Sequence, residues 1–346
     1  PGIHSWGYDP QIISAINGNY GTPTQFKYFV DQCHANGIAV IIDIIWNHIR
    51  SSSPLWKMQP DYNLNPYIKH HEEMNQNEAP GSWGMLDIDH FNSYTIEYIN
   101  KVHRIYVDEY KIDGFRFDFT KGMSNTIYTG SNNWASAYDP SRIAILKNYA
   151  DHVWNNNPTN KPYVIFEHLA DNSEETELAN YGILLWGNMN HSYSQNTMGF
   201  SSESDISWIS YKARGWNNPN VVGYMESHDE ERLMYKNLQF GNNAQANANP
   251  PYNVREIDTA LERAALAGAF FFTVPGPKMI WQFQEVGYDI SIDVPCRVCN
   301  KPILWNYFQE INRKRLYDIN AALIDLKLSH DVFRTTDFNF ALSGKI

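Results

Sequence analysis

Acidic residues stand at the ends of short apolar segments, or inside one, in this 346-residue chain. Asp118 ends the segment GFRFD, Glu167 ends YVIFE, Asp229 lies in ESHDEER, and Asp43 lies inside an apolar run. A trio of converging carboxylates suits glycosidic cleavage, with one nucleophile, one proton donor and acceptor, and one group opposing the cationic transition state. Helix caps or ion pairs are the alternative for any single acid. Arg116 and two histidines near these acids favour the catalytic interpretation.

A repeating helix–strand pattern positions these acids. Thr22 and Gln25 form a capping-box pattern around Pro23, and apolar residues then recur at helical spacing as far as Gly37. The apolar run 38–46 that follows is typical of a parallel strand buried on both faces. The repeats predict six strands, at 38–46, 112–119, 163–167, 182–186, 221–227 and 278–282. Helices are predicted at 22–37, 92–106, 139–154, from 173, and at 205–213, 256–272 and 313–328.

This alternation predicts an α/β fold of parallel βαβ units, either a (β/α) barrel or an open doubly wound sheet. No Gly-x-Gly-x-x-Gly follows a strand, so a dinucleotide-binding fold has no support. The polar residues gather at the carboxyl ends of the strands, where barrel enzymes carry their chemistry. Six strands are predicted where a barrel has eight, and the chain opens with a loop and a helix. We therefore expect the first two barrel strands to be absent.

The composition limits the classes of partner. Lys and Arg number 27 against 38 Asp and Glu, and this net charge of −11 argues against a nucleic-acid partner or an anionic membrane surface. No run reaches the roughly 18 apolar residues that span a bilayer. The aromatic residues, 11 Trp, 22 Tyr and 17 Phe, suit a core or a groove that stacks on sugar rings.

The three cysteines, Cys33, Cys296 and Cys299, are too few for a disulfide framework. The motif CRVC leaves three interpretations open: a local bridge, half of a zinc site, or two loop thiols. Because the chain has no second cysteine pair, a structural zinc ribbon is not expected.

Four motifs carry a resemblance to a known family. In chain order they are DIIWNH (43–48), GFRFDFTK (114–121), FEH (166–168) and ESHD (226–229). They resemble the four ordered signatures of the α-amylase superfamily of glycoside hydrolases, and WGYDP (6–10) and GMLDID (84–89) are similar to two further family segments. The resemblance implies a (β/α)8 TIM-type barrel, here without its first two strands. The implied parts are barrel at 1–48 and 92–330, an inserted loop subdomain at 49–91, and the start of a truncated C-terminal β domain at 331–346.

The resemblance also implies a role for each matching residue. Asp118 corresponds to the nucleophile, Glu167 to the general acid/base and Asp229 to the third acid. Arg116 corresponds to the arginine that keeps the nucleophile ionised, since a cation beside an acid lowers its pKa. The other implied substrate contacts are the aromatic platform Tyr8, the sugar-binding histidines His48 and His228, and the acceptor-side Lys121.

A structural calcium ion is a further implication, with Asn47, Asp89 and the backbone carbonyl of Gly122 as its ligands. The alternative for these three residues is a hydrogen-bonded hinge without metal. The implied partner is an α-glucan polysaccharide or a maltooligosaccharide. We expect a monomer that works outside the cytoplasm, secreted or at the cell surface or in the periplasm.

The predicted activity is retaining hydrolysis of internal α-1,4-glucosidic bonds in starch or glycogen. A glycogen branching enzyme or another transglycosylase is the first alternative, because the signatures do not separate water from sugar as the acceptor. A non-catalytic glucan-binding fragment is the second alternative, and the three intact acids argue against it.

Overall fold

The computed structural model of the chain describes residues 6–69, 85–128 and 134–340, which divide into two compact units at residue 185. The helices of the first unit are α1 (Pro23–Ala35), α2 (Pro54–Lys57), α3 (Ser93–Tyr110), α4 (Pro140–Asn155) and α5 (Asn172–Tyr181). Its strands are β1 (Ile41–Ile45), β2 (His48–Ile49), β3 (Ile68–Lys69), β4 (Leu86–Ile88), β5 (Gly114–Asp118) and β6 (Tyr163–Phe166), and β7 (Leu184–Asn188) begins at its end. The second unit contains α6 (Asn190–Met198), β8 (Val221–Tyr224), α7 (Leu233–Phe240), α8 (Ile257–Phe272), β9 (Lys278–Met279) and α9 (Ile311–Ser329).

The first unit is built on a parallel sheet in the order β1, β5, β6, β7. The register pairs Asp43 with Arg116, and Phe117 with Phe166. Because the strands are parallel, their carboxyl ends lie at one edge, and the residues that follow them meet there. A second, antiparallel sheet in the order β2, β4, β3 forms from the short strands on either side of residues 70–84.

Aromatic side chains fill the core of the first unit. Trp46, Phe115, Phe117 and Phe166 have no solvent exposure, and burying each such ring contributes about 2–3 kcal/mol. The indole N–H of Trp46 donates to Nε2 of the buried His103 at 3.0 Å, which satisfies a donor that packing alone would leave unpaired. Many of the aromatic residues therefore serve the core.

The predicted starts of helices α1 and α4 are confirmed. The Thr22 hydroxyl accepts from the Gln25 N–H at 3.2 Å, and the Gln25 side chain accepts from the Thr22 N–H at 2.8 Å. Asp139 caps α4 through the N–H groups of Ser141 and Arg142. Each cap satisfies amide donors that the first helical turn leaves without partners.

The start of β5 leaves no room for a side chain. A Cβ atom at Gly114 would lie 2.5 Å from the carbonyl oxygen of its strand partner Tyr163. We expect Gly114→Ala to destabilise the fold by about 1–3 kcal/mol, because the backbone of β6 must move. Urea unfolding measures the loss. Gly18→Ala is the matched control, since nothing lies within 4 Å of that position, and an equal effect of both changes would contradict the prediction.

The second unit pairs β8 with β9 in parallel and packs its helices around a buried cluster. The cluster includes Met189, Tyr193, Ile206, Ile209, Met225, Leu233, Phe271 and Phe272. The predicted helices at 256–272 and 313–328 are confirmed as α8 and α9.

One helical prediction in the second unit is wrong, and two helices were not predicted. The segment 205–213 contains one 3₁₀ turn (Ser207–Ile209) in place of a helix. The side chains of Asp205 and Ser210 accept from amides two residues ahead, which competes with helical hydrogen bonding. Helices α6 and α7 were not predicted, although each directly follows a strand segment. The polar sequence of α6 shows little apolar periodicity, and tertiary hydrogen bonds from the Asn190 side chain to the Met225 and Glu231 carbonyls hold its first residue.

The structure describes only part of the predicted inserted subdomain and of the predicted C-terminal segment. The interval 49–91 holds α2 and the antiparallel sheet, while residues 70–84, including the first residue of the motif GMLDID, lie outside the described residues. Residues 331–333 form a 3₁₀ turn and 334–340 form no strand, so the alternating pattern there does not produce one within the described range. Residues 341–346 lie outside it, as do residues 1–5. No helix in the described ranges has the length and apolarity that crossing a bilayer requires.

Candidate active site

Adjacent strands of the first unit bring two of the predicted catalytic acids together. Arg116 and Asp118 project from the same face of β5, because side chains two apart on a strand share a face. Glu167 directly follows β6, and Asp43 lies opposite Arg116 on β1. The buried edge of the sheet therefore carries three carboxylates around one guanidinium.

Arg116 holds these three acids in place. Its Nη1 donates to Asp43 Oδ1 at 2.6 Å and to Asp118 Oδ1 at 3.0 Å, while Nη2 donates to Glu167 Oε2 at 2.6 Å. The arginine side chain is only 5% exposed, and the Asp118 and Glu167 side chains are 11% and 13% exposed, so these two ion pairs have little solvent screening. The Asp43 side chain is 41% exposed, so its pair is screened more. The rigid guanidinium fork fixes the carboxylates relative to one another.

The protonation of Asp118 differs from the expectation. Burial raises the pKa of Asp118 well above its usual range; Arg116 opposes this rise, and Glu167 and Asp43 add to it. One cation cannot offset burial together with two neighbouring carboxylates. Asp118 and Glu167 also share a side-chain hydrogen bond. Asp118 is therefore protonated more readily than a free aspartate, which differs from the expectation that Arg116 keeps it ionised.

The backbone after β5 positions Glu167. The Phe119 N–H donates to Glu167 Oε2 at 2.9 Å, and the N–H and hydroxyl of Thr120 donate to the Glu167 carbonyl at 2.9 and 3.0 Å. Phe119 adopts a left-handed conformation with φ of 43°, which is costly for a non-glycine residue and typical of functional sites. The strained turn directs an amide donor at the carboxylate.

Tyr8 and His48 form the side of the site next to Asp43. The Tyr8 hydroxyl donates to Asp43 Oδ2 at 2.7 Å, and its ring centre lies 5.6 Å from the Arg116 guanidinium carbon. His48 Nε2 donates to the Tyr8 carbonyl at 2.7 Å, and its Nδ1 accepts from the Asn47 amide at 3.1 Å. Burial lowers the pKa of His48, so the ring is neutral. Both ring nitrogens have protein partners, so His48 positions Tyr8, and its predicted sugar contact stays a prediction.

Lys121 lies beside the turn that positions Glu167. Its ammonium group is 3.3 Å from the Ser136 hydroxyl, 3.4 Å from the Leu169 carbonyl, and 5.6 Å from the Phe119 ring centre. Burial lowers its pKa. Lys121 therefore lies beside the turn after β5, and its role as an acceptor-side contact stays a prediction.

His228 and Asp229 lie in the second unit, on the segment after β8. His228 Nε2 is 3.3 Å from Asp229 Oδ2, and the Ser227 hydroxyl accepts from the Asp229 N–H at 3.0 Å. Arg297 donates to the Asp229 carbonyl. The His228 side chain is 11% exposed and that of Asp229 is 42% exposed, so the acid faces solvent while the histidine packs against Trp281.

Glu226 was not among the predicted site residues. Its Oε1 accepts from the Leu233 N–H at 2.8 Å, which fixes both ends of the segment carrying Asp229, and its Oε2 has no hydrogen-bond partner among the described residues. Burial raises the pKa of Glu226 to about 7, and Arg232 opposes the rise. The sequence signal that could have identified Glu226 is its position as an acidic residue directly after an apolar strand segment.

Glu226 is expected to make stability depend on pH. Because its folded pKa of about 7 exceeds the unfolded value of 4.5, its contribution is fully present below pH 4.5 and is lost as the pH rises through 7. We expect Glu226→Gln to match the parent at pH 4 and to be more stable by about 3 kcal/mol at pH 8. Urea unfolding between these values measures the difference. Exposed Glu262→Gln is the control, and a pH-independent difference for Glu226→Gln would refute the prediction.

The predicted calcium ligands do not form an oxygen cage. Asp89 Oδ1 accepts from the Phe91 N–H and from the Asn125 amide, each at 3.0 Å, so it caps a turn. Asn47 Oδ1 has no hydrogen-bond partner in the described ranges, but it packs against Gly122, where a Cβ would lie 2.1 Å away. No group of three or more His, Cys, Asp or Glu side chains in these ranges could hold a metal.

A buried ion pair joins the two strands on either side of residues 70–84. The Lys69 ammonium group donates to the Ser124 carbonyl at 2.6 Å and to the Asn125 side chain, and it lies 3.6 Å from Asp87. The calcium ion with Asn47, Asp89 and Gly122 as its ligands stays a prediction. The ion pair of Asp87 and Lys69 was not predicted from the sequence. The available signal was the motif GMLDID, in which Asp87 and Asp89 are two residues apart, the spacing at which strand side chains share a face.

Cys296 and Cys299 form a disulfide, so the local bridge is the correct interpretation of CRVC. The bridged turn carries Arg297, the residue that donates to the Asp229 carbonyl. The third cysteine, Cys33, is a free thiol.

Comparisons with known proteins agree with this geometry. The family described as "Alpha amylase, catalytic domain" matches residues 3–86. A malto-oligosyltrehalose trehalohydrolase of Rhizobium sp. is 33% identical over 36% of this chain and 19% of its own length. A 1,4-alpha-glucan branching enzyme of Halothermothrix orenii is 25% identical over 68% of this chain and 33% of its own length. The chain thus spans a third or less of these two curated relatives.

The fold comparison covers nearly the whole chain. Eubacterium rectale Amy13B superposes with a TM-score of 0.70 at 16% identity, over 95% of this chain and 70% of that one. The predicted incomplete (β/α)8 fold is confirmed by this likeness and by the six parallel strands of the described residues. The fold, the family match over residues 3–86 and the sequence relatives support the predicted resemblance to the α-amylase superfamily of glycoside hydrolases.

Proposed function

We propose that this chain carries the catalytic centre of a retaining α-glucan hydrolase that cleaves internal α-1,4 bonds. The observation that supports it is the pair Asp118 and Glu167, both held on Arg116 at the ends of adjacent strands. Retaining cleavage needs one ionised and one protonated carboxyl group close together. Both carboxyl groups of this pair accept from the same guanidinium group, which keeps them close together.

In the proposed first step, the carboxylate of Asp118 attacks the anomeric carbon and forms a β-glucosyl ester. The bond from that carbon to the glycosidic oxygen breaks, and the Glu167 proton passes to the leaving oxygen. Arg116 stabilises the carboxylates without transferring a proton, because its own pKa is raised by the three acids around it. Tyr8 would support the sugar ring.

In the second step, Glu167 removes a proton from water, and the water oxygen attacks the anomeric carbon of the glucosyl ester. The bond to Asp118 breaks and the product leaves with its original α configuration. Transglycosylation differs only in that a sugar hydroxyl replaces the water. The similarity to a branching enzyme over 68% of this chain supports transglycosylation as the second candidate function.

A proton NMR time course with maltoheptaose and amylose tests the proposal. Short products released as α-anomers support the hydrolase, and new α-1,6 signals without new reducing ends support the branching enzyme. Asp118→Asn is the inactive control, and Asp108→Asn, exposed on α3, is the matched variant expected to retain activity. Products released as β-anomers would contradict both candidates.

We further propose that the protein works in an oxidising compartment, as a secreted, cell-surface or periplasmic enzyme. The Cys296–Cys299 disulfide supports this location, because such bonds are rare in reducing cytoplasm. Thiol titration of this 346-residue chain, purified without reductant, tests the bond, with one free thiol expected before reduction and three after.

A further inference from the structure

A fully buried ion pair joins helices α4 and α5 of the first unit. Arg142 donates through Nε to Glu174 Oε1 and through Nη2 to Glu174 Oε2, both at 2.7 Å. Neither side chain is exposed to solvent. Two charges buried in this way are costly unless their other hydrogen bonds are also made. The pair is therefore stable only together with its further partners.

The guanidinium group of Arg142 also holds the backbone beyond β5. Its Nη1 donates to the carbonyl oxygens of Lys121 at 2.5 Å and Ala135 at 2.7 Å, and its Nη2 donates to the Ala137 carbonyl at 2.9 Å. Lys121 belongs to the 3₁₀ turn Thr120–Gly122, which comes directly after Phe119. The arginine thus ties this turn to α4.

The carboxylate of Glu174 extends the network to His168, the residue after Glu167. His168 Nε2 lies 2.9 Å from Glu174 Oε1, and its Nδ1 lies 2.9 Å from the Thr120 side-chain oxygen. Burial lowers the pKa of His168, although Glu174 opposes this, so the ring is neutral. Because a carboxylate only accepts, Nε2 carries the proton and Nδ1 accepts from the Thr120 hydroxyl.

Thr120 connects this network to Glu167. Its hydroxyl lies between two acceptors, His168 Nδ1 at 2.9 Å and the Glu167 carbonyl at 3.0 Å, and its N–H donates to the same carbonyl at 2.9 Å. Thr120, His168 and Glu174 have no solvent exposure. No substrate reaches these side chains, so they act only through the residues that they hold.

We propose that His168 and Glu174 are positioning residues for Glu167, acting through the Thr120 hydroxyl, while Arg142 holds Glu174. This inference rests on the proposed role of Glu167 as general acid/base. The network fixes the backbone from which the Glu167 side chain extends. Proton transfer requires hydrogen-bond geometry, and a misplacement of about 1 Å can cost about 100-fold in rate.

The test uses two substrates that differ in their need for an acid. Cleavage of maltoheptaose requires a proton from Glu167, whereas loss of fluoride from α-maltosyl fluoride does not. We expect His168→Leu to lower kcat on maltoheptaose by about 10- to 100-fold. Its first turnover of the fluoride, measured by stopped flow, should stay within about twofold of the parent rate.

His168→Asn separates the Thr120 contact from packing. The side-chain oxygen of asparagine is as many bonds from the backbone as Nδ1, so it can accept from the Thr120 hydroxyl. We expect this variant to regain part of the activity on maltoheptaose that His168→Leu loses. His152→Leu, exposed in the last turn of α4, is the matched control and should equal the parent on both substrates.

Hydrogen exchange gives a readout that does not depend on activity. The Phe119 and Thr120 amides both donate to Glu167, so His168→Leu should speed their exchange and leave the amides within β5 and β6 unchanged. Equal losses on the two substrates, or unchanged activity and exchange, would overturn the proposal. A parent chain inactive on both substrates would instead contradict the proposed function, and exchange alone would then decide the positioning.

A second pair of variants applies if His168→Leu does not fold. Thr120→Val removes the hydroxyl at nearly constant volume, and Thr120→Ser retains it. We expect the valine variant to lose activity on maltoheptaose with the fluoride reaction preserved, and the serine variant to remain near the parent. Equal behaviour of the valine and serine variants would overturn the proposal.

Discussion

Asp118→Asn is expected to lower turnover of maltoheptaose by about 10⁴-fold or more while leaving glucan binding intact. The amide keeps the shape of the side chain but cannot form the glucosyl ester. Because burial raises the pKa of Asp118, the ionised parent carries a penalty that the neutral amide lacks. The variant should therefore be at least as stable as the parent near neutral pH, which separates lost chemistry from lost folding.

A paired variant distinguishes the two acids. Glu167→Gln should also fail on maltoheptaose, but it should form the ester from an α-maltosyl fluoride, because fluoride leaves without a proton. Asp118→Asn should remain inactive on both substrates. Stopped-flow measurement of fluoride release gives the comparison, and exposed Asp108→Asn serves as the control. Equal rescue of both variants by the fluoride would overturn the assignment of nucleophile and acid.

Arg116→Ala is expected to destabilise the protein by about 3–5 kcal/mol at neutral pH, because it leaves buried carboxylates without their cation. Without the guanidinium group, the folded-state pKa of these acids rises further. The deficit is therefore largest at high pH and shrinks as the pH falls, when protonated carboxyl groups no longer need a cation. Urea unfolding at pH 4 and pH 8 measures both values.

The control for this experiment is Arg50→Ala, which removes an exposed arginine paired with Asp9. Exposed pairs contribute about 1 kcal/mol or less, so this variant should remain close to the parent. A loss for Arg116→Ala that does not depend on pH would indicate lost packing alone. In that case the guanidinium group would not be the electrostatic centre of the site.

The helix–strand order, the helix caps and the positions of the acids could be predicted from the sequence alone. Thr22 with Gln25, and Asp139 with Pro140, act within a few residues of chain, so their local chemistry is readable without the fold. The six strands were found because parallel strands buried on both faces are nearly continuous apolar runs. The motifs around Asp118 and Glu167 then indicated the family and its chemistry.

The partners of the site side chains could not be predicted from sequence and are known from the tertiary structure. Helix α6 has little apolar periodicity in its sequence. A long-range hydrogen bond from the Asn190 side chain to the Met225 carbonyl holds its first residue. The partners of His48, the raised pKa of Asp118 and the position of the Lys69 ammonium group all depend on residues far apart in sequence. Burial and charge act through space, so the sequence located the reacting groups, and the fold set their partners and their protons.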